Sequence, residues 1–179
     1  LVHLDRLPDN REGDRMFLEV ALRQGYSCYF LGRFEESVDL LLQQRERLER
    51  LQEPSLTGPY HFWLAHMYSR LGNQERAVDS AQRAIDEATR CGDEATLGKA
   101  HGLLALEGHW SGRAAEGIEH GQQAVSLLER SGQHWWLGMA HFYVAVNYLL
   151  LGRFELALNA SAQAQAVGER IADPRLQSY

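Results

Sequence analysis

"LGRFE" stands at Leu31–Glu35 and returns at Leu151–Glu155. The copies lie 120 residues apart, and related phrases fall between them, "RLGNQERAV" from Arg70 and "WSGRAAEGI" from Trp110. Their glycines, Gly32, Gly72, Gly112 and Gly152, are in step at 40 residues. A fixed period of this size is the signature of stacked supersecondary units. Other columns keep the same step: Gly58, Gly98 and Gly138; His61, His101 and His141; Gly25, Ala65, Ala105 and Ala145. The small residues recur where two helices must approach closely.

One unit can be read physically. From His134 the apolar residues Leu137, Val144, Ala145, Tyr148 and Leu151 recur at helical spacing, with His141 among them. Gly152 stops that helix as a C-terminal cap. A second helix follows from about Phe154, with Leu158, Ala162 and Val167 on one stripe, and ends before Asp173-Pro174. The same reading predicts helix pairs over 15–51, 57–91, 95–131 and 134–171. Leu1–Leu7 reads as the tail of a preceding helix, and 175–179 as the start of a truncated repeat. The chain is expected to be a single solenoid fragment cut from a larger protein. One pair cannot bury its apolar face alone, so neighbours must stack.

Composition narrows the function. The four prolines are read as lying outside the long periodic segments, which favours helices. The net charge of −6 has no basic stripe, which argues against sequence-independent nucleic-acid binding. The most apolar stretch, Met139–Leu151, is too short and too polar to span a bilayer. Two cysteines at unrelated positions and no visible signal peptide point to the cytoplasm. No P-loop, HExxH, CxxC or Ser-His-Asp pattern appears, so neither enzyme activity nor a cofactor is expected.

The stretch "LGRFELALNASAQA" resembles the middle of a tetratricopeptide repeat. There Gly is followed by an aromatic two residues on and a small residue three further. Gly152, Phe154 and Ala157 fit, as do Gly32, Phe34 and Ser37. Ala145 with Tyr148, and Ala65 with Tyr68, fill the small and aromatic slots of the first helix. The third repeat departs, with Gly108 in the aromatic slot and Ala114 where Phe is expected. The resemblance implies an all-α, right-handed superhelical solenoid of about four antiparallel helix pairs, of an extended 40-residue variety. "HLDRLPDNREGDR" and "GD…LGKAH" resemble the repeat regions of large bacterial signalling proteins, in which such repeats follow an ATPase module and sometimes a cyclase, kinase or DNA-binding domain.

In that family the first helices line the concave face. Carried onto this register, the partner-binding residues are Leu22, Arg23, Tyr26, Tyr29 and Phe30, then Phe62, Trp63, His66 and Arg70. The third and fourth repeats add Leu106, His109 and Trp110, and Phe142, Tyr143 and Val146. Aromatics with Arg dominate binding hot spots. The Lys and Asn groups that hold chaperone C-terminal carboxylates in some relatives are replaced here by Leu, Tyr, Phe or His, which argues against that ligand. The His61/His101/His141 column is not expected to hold a metal. Equivalent positions on stacked repeats lie roughly 10 Å apart and do not converge. His66 and His109 are candidates for pH-sensitive partner contacts, and Glu116 with His120 reads as a solvated pair. The glycine-rich third repeat, with Gly98, Gly102, Gly108, Gly112, Gly117 and Gly121, is expected to be the least stable unit or a hinge. The function expected is a protein- or peptide-binding scaffold. A small-effector sensor coupled to an attached ATPase or cyclase, and a passive spacer or self-association through solenoid ends, are the alternatives.

Overall fold

The computed structural model describes residues 10–178, so the expected helical tail at Leu1–Leu7 lies outside the described residues. Every long element among the described residues is an α-helix. The chain divides between Cys91 and Gly92 into two compact units.

The first unit holds α1 (Arg11–Phe30), α2 (Phe34–Leu42), α3 (Arg45–Leu51), α4 (Pro54–Arg70) and α5 (Gln74–Cys91). α1 begins earlier than its apolar periodicity suggests because the Asn10 side chain accepts a hydrogen bond from Gly13 N at 2.9 Å, an N-cap. α4 likewise starts early, with Pro54 in its first turn. Pro59 lies inside α4, contrary to the expectation that no proline falls within a long periodic segment. Its ring opposes the carbonyl of Ser55, an exposed first-turn residue whose oxygen water can satisfy. The second helix of the first repeat is broken at Gln43–Gln44. Gln44 is buried and its Nε2 donates to Leu40 O at 3.3 Å. Beyond the break α3 turns toward α1. Arg50 donates twice to Asp14, at 2.9 and 2.8 Å, and Arg47 lies over the Phe17 ring at 4.2 Å.

The second unit holds α6 (Glu94–Trp110), α7 (Ala114–Arg130), α8 (His134–Leu150) and α9 (Phe154–Arg170), then a 3₁₀ turn at Leu176–Ser178. Asp93 caps α6 through Thr96 N at 3.0 Å. On α9 the buried face is Ala157, Ala160, Ala164, Val167 and Gly168. The expected stripe is therefore corrected: Leu158 is 72% exposed, and Ala162 also faces out. Alanines face inward because they let α9 lie close on α8. Leu176 is fully buried and sits where a Cβ on Gly138 or Gly168 would meet it at 2.7 Å.

The repeated pentapeptide is a helix stop. Gly32 and Gly152 have φ of +70° and +69°, a left-handed conformation that disfavours a Cβ. The next amide then reaches back: Arg33 N donates to Cys28 O and Arg153 N to Tyr148 O, each at 2.9 Å. That is a Schellman cap. Asn73 N and Tyr68 O repeat it at 2.9 Å.

Candidate functional site

Close packing of small residues builds the site in the first unit. Gly25 of α1 lies against Trp63 of α4, where an added Cβ would stand 3.7 Å from the indole. This approach brings the last turns of α1, with Tyr26, Tyr29 and Phe30, over Trp63 and His66. Tyr26 meets Trp63 edge-on at 5.8 Å and Phe30 at 4.8 Å. Tyr29 lies 4.5 Å from His66 and 6.2 Å from Trp63. Phe34 stands 6.3 Å from Tyr29, with the Arg70 guanidinium 5.6 Å above its ring. Each such aromatic pair adds about 0.5–1.5 kcal/mol beyond burial alone, so the cluster is a rigid bed.

Burial sorts the sequence-derived residues. Tyr26 is 50% and Phe30 37% exposed, Arg23 and Arg70 are exposed, and Leu22 and Tyr29 are half-buried. Phe62, Trp63 and His66 are buried, at 2%, 8% and 2%. They are the floor of the cluster and not its contact surface. The physical reason is that α4 is buried without a gap from Phe62 to Tyr68, so it has no open face there. Burial, and then the Arg70 charge, push the His66 pKa down to about 3. The expectation of pH-sensitive partner contacts at His66 is therefore corrected: the ring is neutral near pH 7 and out of reach.

In the second unit Leu106 and Tyr143 are buried, so they too are core residues rather than contacts. His109, Phe142 and Val146 are half-buried. Trp110 is 69% exposed, its ring 5.0 Å from His109.

Two features escaped sequence reasoning. His120 is not on a purely solvated face: its Nδ1 lies 2.9 Å from Nδ1 of His101, so one ring donates and the other accepts. Burial, and then His120, lower the His101 pKa to about 4, and burial lowers that of His120. The second is a groove of about 750 Å³ in the first unit, bounded by α2, α3, α4 and α5. Its signal in the sequence is a row of arginines seven residues apart, Arg76, Arg83 and Arg90. His61 lines it, held neutral with a pKa near 4 by burial and then by Arg83. Among the described residues no cluster of three or more His, Cys, Asp or Glu side chains could hold a metal ion, and no helix is long and apolar enough to cross a membrane.

No protein-family model matches the chain, and no curated protein does so significantly. Solved structures do match. Aspartyl phosphate phosphatase F from Bacillus subtilis superposes over 96% of this chain and 44% of its own, at 18% identity and a TM-score of 0.79. A Signal Transduction ATPase with Numerous Domains from Pyrococcus horikoshii, described as having a tetratricopeptide repeat sensor, superposes over 88% of this chain with a TM-score of 0.68 and 18% identity. The chain has a tetratricopeptide-type helical-repeat fold. BtubC from P. vanneervenii shares it, over 94% of this chain and 74% of its own, at 17% identity and a TM-score of 0.68. The chain spans under half the length of the phosphatase and a quarter of the ATPase. At these identities the likeness establishes the tetratricopeptide-type fold alone.

Proposed function

We propose that this chain is a non-catalytic scaffold that binds a protein or peptide through the α1 end of its aromatic cluster. On this reading it works inside a larger bacterial signalling or regulatory protein in the cytoplasm. The observation that carries the reading is the arrangement of Tyr26 and Phe30. Tyr26 stays half exposed against buried Trp63, Phe30 stays partly exposed against Tyr26 and Tyr29, and Arg23 and Arg70 are exposed on the same two helices. Exposed rings held in place by buried ones lose little freedom on binding, and Tyr with Arg is the residue class that anchors interfaces. The sensor described for the Pyrococcus horikoshii ATPase is of the same repeat type and supports a place in signalling. An open helix face, in contrast to an enclosed pocket, favours a peptide over a small effector.

The test uses Tyr26→Ala/Phe30→Ala, because removing Trp63 or Tyr143 would empty the core. Proteins captured by the wild-type chain and lost by the variant are purified and titrated directly. The reading expects at least one to bind with an affinity about 30-fold weaker in the variant, as removal of a 2 kcal/mol anchor gives. Equal affinities, with unchanged circular dichroism, would overturn it.

A further inference from the structure

The groove between α3 and α5 is separate from the aromatic cluster. At 100° per residue, Tyr60, His61, Leu64 and Tyr68 face one side of α4, and Trp63, His66 and Arg70 the other. The groove exists because α3 turns away to pair Arg50 and Arg47 with Asp14 on α1. Its α5 wall carries Arg76, Arg83 and Arg90. A seven-residue step is two helical turns, so the guanidinium stems project from one line at intervals of about 10.5 Å over about 21 Å. Arg45 adds a fourth guanidinium from the opposite wall, and Leu42, 43% exposed, gives an apolar edge.

The charges that face these arginines are weak competitors. Arg83 pairs with Asp79 at 3.2 Å, Arg90 with Glu87 at 2.8 Å and Arg45 with Glu49 at 2.8 Å, all within one helix. The Arg83–Asp79 and Arg45–Glu49 side chains are at least 60% exposed, and pairs of this kind contribute about 0.3–0.5 kcal/mol; Glu87 is only 21% exposed, so Arg90 is held more firmly than Arg83. Arg76 meets the Tyr68 ring at 5.6 Å and, among the described residues, no carboxylate. The three acids have no common spacing; the arginines do.

We propose that this groove docks an amphipathic helix of a partner protein whose acidic residues recur every seven positions beside an apolar row. A helix laid along α5 would present its carboxylates at the same interval as Arg76, Arg83 and Arg90, as charged flanking positions do in coiled coils. Its apolar row would cover Leu42. The docking is independent of the aromatic site, so either reading can fail alone.

The test uses two synthetic helical peptides, with Glu or with Lys at every seventh position and an otherwise shared leucine row, titrated by fluorescence anisotropy. The Glu peptide is expected to bind at least tenfold tighter than the Lys peptide, and to weaken at least tenfold between 50 and 500 mM salt. Arg76→Glu/Arg83→Glu, at exposed positions, is expected to weaken it at least tenfold, as is Leu42→Asp. Tyr26→Ala/Phe30→Ala is expected to change nothing. Equal binding of the two peptides, or indifference to Arg76→Glu/Arg83→Glu, would overturn the proposal. So would binding of inorganic phosphate at the arginine row without binding of the Glu peptide.

Discussion

Two glycines on one helix are expected to respond to the same substitution with opposite signs. Gly102 and Gly108 are both buried in α6. Alanine in a helix interior is favoured over glycine by about 1 kcal/mol, so both changes start with the same gain. What an added Cβ meets then decides the outcome. At Gly102 the nearest atom is Ala124 Cβ at 3.8 Å, an ordinary contact. At Gly108 the Cβ would lie 2.7 Å from Gly117 Cα, 2.9 Å from Gly117 N and 3.1 Å from Arg113 O.

Those three atoms are backbone and cannot rotate aside. Restoring a carbon contact of roughly 3.5–4.0 Å requires α6 and α7 to separate by about 1 Å. That separation strains what rests on the crossing. Asn147 Nδ2 donates to Ala105 O at 2.9 Å and to Tyr143 O at 2.8 Å, while its Oδ1 lies over Gly117. Overpacking of a tight core costs about 1–3 kcal/mol, and an unyielding backbone places this case at the upper end. Net of the propensity gain, Gly108→Ala should lose about 2 kcal/mol, and Gly102→Ala should gain up to about 1 kcal/mol. Urea unfolding followed by circular dichroism measures both, with the slope checked for constancy. A Gly108→Ala protein as stable as wild type would refute the reasoning, as would equal losses at the two sites.

Other outcomes follow from single contacts. Leu176→Ala should destabilise the second unit by about 2 kcal/mol or more in urea, because Gly138 and Gly168 form a seat that alanine leaves empty. Asp14 is held below the usual carboxylate range, chiefly by its hydrogen bond from Arg50, so its contribution is present above about pH 4 and lost as pH falls further. Asp14→Asn should therefore lower the melting temperature at pH 7, and by progressively less as the pH falls below about 4. His66 is neutral when folded and protonates when unfolded, so its contribution is full above about pH 6.5 and declines below it. Each histidine so held should remove about 2 kcal/mol at pH 5 relative to pH 7.5, and His66→Gln should flatten that part of the stability profile.

The period and the helix stops were legible because a glycine at a left-handed turn is a local requirement, repeated wherever the turn is repeated. The break at Gln43–Gln44 was not, since it depends on Asp14 drawing Arg50 across from another helix. Gly108 shows how a departure from a pattern can mislead. In a slot that Tyr68 and Tyr148 fill elsewhere it reads as a lost aromatic, yet it lies against Gly117 at a distance that leaves no room for a methyl group. The aromatic surface was half legible for a related reason. Tyr26 and Trp63 fall on the same face of their first helices, three positions apart in the register, yet one is 50% and the other 8% exposed. Nothing in either helix's own sequence separates them. The difference is that Gly25 admits the indole of Trp63 beneath α1, while the Tyr26 ring meets that indole only edge-on and keeps half its surface in solvent. Exposure is thus set by which neighbour a small residue lets in, and for a binding face made of aromatics that is the property that matters.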